Sequence, residues 1–79
     1  MSSALDARLI AAHEAGDKAA LVTLYQQAAE TTTDQRAHWF YLTHAYVFAL
    51  DCGAPQAAQL HALLKAAGRE ANAALFILL

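Results

Sequence analysis

What this sequence has little of narrows it first. One proline and three glycines among 79 residues leave few points at which a helix must break. Valine, isoleucine and threonine are sparse as well, so strands have almost no foothold. A single cysteine, Cys52, excludes a disulfide within the chain and fits a reducing compartment. Charged residues amount to 15%, and the five basic ones, Arg8, Lys18, Arg36, Lys65 and Arg69, are scattered. With a formal charge of −2 and a pI near 6.0, no clustered cation is present to hold a phosphate backbone, and nucleic acid is not an expected partner. The opening residues MSSALDARL lack a basic start followed by an apolar run, so they do not read as a signal peptide. The stretch from Ala37 to Leu50 carries no acid or base, yet at 14 residues with two histidines it is too short to cross a bilayer. These absences predict a soluble, cytoplasmic protein with no membrane partner.

What is abundant is alanine, 21 residues, within a composition that is 58% hydrophobic and has a mean hydropathy of +0.27. Alanine is the best helix former and lets helices approach closely, so one all-α domain over 1–79 is expected. Ser2 or Ser3 caps a first helix that runs to about Ala15, with Asp6 three residues after Ser3. Leu5, Leu9, Ala12 and His13 form its stripe, and Gly16 supplies the stop. Asp17 caps a second helix through about Thr31, on which Ala20, Leu21, Leu24, Tyr25 and Ala28 recur at helical spacing. Because one or two residues separate these helices, residues 2–31 read as an antiparallel hairpin.

The run Thr31 to Asp34 is the next boundary, and Asp34 caps a third helix over about 34–52. Trp39, Leu42, Tyr46 and Leu50 lie along one side, while Phe40, Tyr41, Val47 and Phe48 fill much of the rest. A helix apolar nearly all round is buried on more than one side, which makes this the expected central helix. Gly53 ends it, and Pro55 opens a fourth helix carrying Ala57, Leu60, Leu64 and Ala67 to Gly68. Residues 34–68 thus form a second hairpin, and 69–79 a short fifth helix.

Two hairpins in succession suggest a repeat. Leu5 and Trp39 are 34 residues apart at equivalent places, and Leu21, Leu24 and Ala28 match Ala57, Leu60 and Leu64 at a spacing of 36. The series Trp39, Leu42, Thr43, Tyr46 resembles the first-helix signature of the tetratricopeptide family, and Gly16, Asp17, Tyr25 and Ala28 resemble its turn and second helix. The resemblance covers residues 3–68. It implies a protein-interaction module that binds a protein or peptide in a groove lined by the first helix of each hairpin. The matching positions are Ser3, Asp6, Ile10 and His13, then Ala37, Phe40, His44, Val47 and Phe48. Members of the family that clamp a terminal carboxylate use Lys, Arg and Asn at such places. None of those residue types stands there in this chain, so an apolar or aromatic-anchored partner is expected, with Ile10, His13, Phe40, His44, Val47 and Phe48 as the contact residues.

Chemistry has less to work with. His13 and Asp17 are four apart, but Asp17 serves as a cap, and His38 and His44 project from different sides of their helix. With no dense cluster of donors, neither metal nor cofactor is expected. Cys52 has no basic neighbour to activate it and reads as a buried residue at a helix end. His44, amid Phe40 and Phe48, becomes a pH-sensitive contact if buried. Nothing marks a nucleophile motif or a phosphate loop, so no enzyme is expected; the alternatives are a composite site pairing His44 with Tyr41 in a small oligomeric enzyme, or a structural subunit of a larger complex. The segment ALFILL, Ala74 to Leu79, is apolar where a repeat protein usually needs a polar outer face, and it either folds back or meets a second copy. A homodimer through Leu75, Phe76 and Leu78 is the expectation.

Overall fold

The computed structural model describes residues 3–68, which form four helices in an all-α array of antiparallel hairpins: α1 (Ser3–Ala15), α2 (Lys18–Thr31), α3 (Gln35–Cys52) and α4 (Gln56–Ala66). The expected fifth helix, the interface residues Leu75, Phe76 and Leu78, and the cap at Ser2 lie outside the described residues.

Local chemistry sets the boundaries. The Asp17 carboxylate accepts the Ala20 N–H at 3.1 Å, and the Asp34 carboxylate accepts from Arg36 N–H at 2.9 Å and Ala37 N–H at 3.5 Å. Each satisfies amide donors that a helix start leaves without an internal partner. Gly16 and Gly53 end α1 and α3 at φ of 65° and 68°, a left-handed turn that a side chain resists. At the close of α2, the carbonyl of Ala29 accepts from His38 Nδ1–H at 2.8 Å. Since a carbonyl only accepts, that contact fixes the His38 tautomer and ties the end of α2 to α3.

The helices pack in chain order, α1 on α2, α2 on α3, α3 on α4. Cross-contacts between α2 and α3 give their direction: Ala29 meets His38, Tyr25 meets Tyr41, and Lys18 pairs with Asp51. One number rises as the other falls, so the two run antiparallel. Two buried clusters result. Leu5, Leu9 and Ala12 of α1 close on Leu21 and Ala28 of α2. Val22 and Ala29 of α2 join Leu42, Ala45 and Ala49 of α3 and Leu60 and Leu64 of α4. Val22, Leu60 and Leu64 are wholly enclosed, and each contributes about 1.5–3 kcal/mol relative to exposure.

Several expectations are corrected by this packing. The burial of Leu21 and Ala28 towards α1 and of Val22 and Ala29 towards α3 sandwiches α2 between two partners. The central role is therefore shared, and α3 buries only Leu42, Ala45 and Ala49. Its alanines give close contact with neighbours, while Trp39 and Tyr46 are half-buried against the second cluster. Leu50, expected on the core side, is 46% exposed, because the chain turns away to α4 at Gly53. Cys52 is exposed rather than buried, and Ala67 caps α4 from outside the helix. Among the described residues no helix is long and apolar enough to cross a membrane.

Candidate functional site

Rings from three helices converge on one flank of this array. The hub is Tyr25, at the middle of α2. Its ring stacks with Phe48 at a centroid distance of 5.8 Å and 10° between planes, lies 5.1 Å from His44 and 6.2 Å from Tyr41, and meets His13 of α1 edge-on at 5.9 Å. His13 also reaches Phe48 across from α1, again edge-on, at 5.8 Å. Further along α3, Phe40 sits 4.2 Å from His44 and 6.0 Å from Tyr41. Offset and edge-to-face arrangements of this kind are the favourable ones for rings with negative faces and positive edges.

Polar atoms hold the network in place. His13 Nε2 and the Tyr25 hydroxyl are 2.8 Å apart, the donor being set by the histidine tautomer. His44 Nδ1–H donates to the Phe40 carbonyl at 3.0 Å, which orients the imidazole along its own helix. Burial, with the charge of Tyr41 adding to it, pushes the Tyr25 phenol above its ordinary range. Tyr25, Tyr41 and Phe48 pack against both buried clusters, so the base of the face is a seam between two cores. Its outer part is open: Phe40 is 55% and Ile10 59% exposed.

The residues named from sequence therefore fare differently. His13, Phe40, His44 and Phe48 are brought into one ring network, joined by direct contacts. Ile10 lies one helical turn before His13 on the same flank of α1 and is exposed. Val47 is half-buried and has no part in the ring contacts. His13, expected on the core stripe of α1, stands at its edge and is exposed. His44 is half-buried. Tyr41, named from sequence only as the partner of His44 in a composite site, also belongs to the network, whereas Tyr25 is not legible as a member: helical spacing assigns it to the stripe of Leu21 and Ala28, and one stripe does not tell a core position from a seam.

A second concavity lies on the opposite flank of α1. It is an open groove of about 630 Å³ between α1 and α2, floored by Ala11, Ala12, Ala15 and Ala20 with Arg8 and Asp17 at its rim. The described residues contain no group of three or more His, Cys, Asp or Glu arranged to hold a metal ion. Comparison of the chain with family models, curated proteins and solved structures gives no match.

Proposed function

We propose that this protein is a non-catalytic interaction or assembly module that engages a protein or peptide partner through the ring face of α1 and α3, with Phe40, His44, Phe48, Ile10 and His13 in contact and Tyr25 beneath them. The observation that carries the reading is the exposure of Phe40 and Ile10 beside an ordered network of rings. A large exposed aromatic side chain resting on ordered aromatic neighbours, as Phe40 rests on Tyr41 and His44, is a usual component of a binding hot spot. The tetratricopeptide resemblance belongs to the same reading: two successive hairpins whose first helices, α1 and α3, present the contact surface. So do a cytoplasmic location and a homodimer assembled through Leu75, Phe76 and Leu78.

Two experiments test it. Tagged full-length chain and its Phe40→Ala variant are used to capture partners, identified by mass spectrometry. A partner held by the parent chain and lost with the variant, at unchanged helix content, supports the face. Partners retained equally by both remove it. Sedimentation at micromolar concentration tests the homodimer separately, and a monomer there removes that part alone.

A further inference from the structure

We propose that the outer face of α4 is the seat of this chain's own C-terminal segment, residues 69–79, which closes the open end of the array. The inference goes beyond the ring face and does not rest on it.

The face comes first. Leu60 and Leu64 of α4 are wholly buried in the second cluster. Ala62 and Ala66 follow them by two positions, about 200° round a helix, so they stand on the side turned away from that cluster, and both are exposed. With Gln59 and Leu63 they line a hollow of about 450 Å³. Leu63, at its border, is 50% exposed. Both α2 and α3 pack on two helices, whereas among the described residues α4 packs mainly on α3.

The direction of the chain comes second. Gly16, Gly53 and Gly68 share one turn. Their φ values are 65°, 68° and 72°, and each N–H donates to the carbonyl three residues back, in His13, Leu50 and Lys65, at 3.2, 3.4 and 3.0 Å. After Gly16 and after Gly53 the chain returns as a helix antiparallel to the one before, α2 along α1 and α4 along α3. The same turn at Gly68 sends residues 69–79 back along α4. Tyr46 and His61, seven before and eight after Gly53, meet at 5.8 Å, and the same register about Gly68 sets Leu75 near Ala62.

The segment supplies the third element. Its 11 residues match the 11 of α4, about 16 Å at the helical rise, so it spans the whole face. Ala73 to Leu79 is an unbroken apolar run, which gains by leaving water against Ala62, Leu63 and Ala66. Because only Ala67 and Gly68 separate it from α4, its effective concentration at this face exceeds that of a second copy's segment. A helix apolar on every side keeps another side for the homodimer.

The test is alkylation of a thiol placed on the face, Ala62→Cys in the full-length chain. Native Cys52, which is exposed, is the internal reference, and peptide mass mapping reads each rate. A thiol beneath the segment reacts only when the segment lifts, so position 62 should react about tenfold or more slowly than Cys52. Equal rates mean an open face and overturn the proposal. Charging the segment with Leu75→Asp and Leu78→Asp should bring the two rates together, and the milder Leu75→Asn should bring them part of the way, at unchanged helix content. Protection that persists in both variants means that something else covers α4, and overturns it too. The thiol chain with the charged segment is then mixed with excess parent chain. Protection restored in the mixture puts a second copy's segment on α4 and overturns the seat within one chain; no restoration upholds it. Sedimentation reads the homodimer separately, so its failure leaves this seat standing.

Discussion

Removing the ring of Tyr25 tests whether the seam between the two cores carries load. Truncating a wholly buried aromatic to alanine costs about 3–5 kcal/mol. Tyr25 is half-buried but touches four other rings, so Tyr25→Ala should cost about 2 kcal/mol. Tyr25→Phe keeps every ring contact and loses only the 2.8 Å bond to His13. A net hydrogen bond is worth about 0.5–1.5 kcal/mol, and water can replace this one at the exposed His13, so the low end, about 0.5 kcal/mol, applies. A chain of this length has roughly 4–12 kcal/mol of stability in total. The alanine variant should therefore melt about 8–16 °C lower and the phenylalanine variant only a few degrees lower. Urea unfolding followed by circular dichroism at the helix band gives both values, provided the slope with denaturant stays constant. If Tyr25→Ala lies within about 0.5 kcal/mol of the parent, the rings touch without sharing load. If Tyr25→Phe is as damaged as Tyr25→Ala, the weight belongs to the hydrogen bond instead.

Other outcomes follow from the same packing. The Tyr25 phenol is held above its ordinary range by burial first and by Tyr41 second. Its neutral form is thus favoured by folding, a contribution fully present below about pH 10 and lost as pH rises through the native value. Ultraviolet titration should show one tyrosine ionising later than the rest, and Tyr25→Phe should remove that late phase. Along α4, Leu60 is wholly buried whereas Leu63 is 50% exposed. Leu60→Ala should cost about 2–5 kcal/mol and threaten the fold, while Leu63→Ala should change the urea midpoint by a small fraction of that. At Gly53, φ is 68° and an added Cβ meets nothing within 4 Å. Gly53→Ala should therefore lose about 1–2 kcal/mol from backbone strain alone, with the ring network unchanged in the aromatic circular dichroism.

Much of the fold is legible residue by residue. Alanine-rich segments bounded by Asp17, Asp34, Gly16, Gly53 and Gly68 determine helices by local rules, because caps and left-handed glycines act within a few residues of where they stand. The core leucines Leu5, Leu9, Leu21, Leu42, Leu60 and Leu64 follow from helical spacing in the same way. Half of the ring face is also visible in the spacing, since Phe40, His44 and Phe48 share one helix. What spacing misses is how many neighbours a helix has. The burial of Val22 and Ala29 is not legible because one stripe of α2 already accounts for its apolar side, Leu50 reads as inward on a stripe that continues past the point where α4 leaves, and the exposure of Cys52 is not decided by its lack of a basic neighbour.

By itself, then, the sequence determined the helices, their order and the antiparallel reversal at each short turn, because each depends on residues within one or two turns of the chain. The tertiary structure alone decided that α2 is enclosed on two sides and that Tyr25 bridges both cores. It also decided that His13 meets Phe48 across 35 positions of sequence. Those contacts depend on the angles and register at which helices settle, and these are set jointly by side-chain volumes on three helices at once.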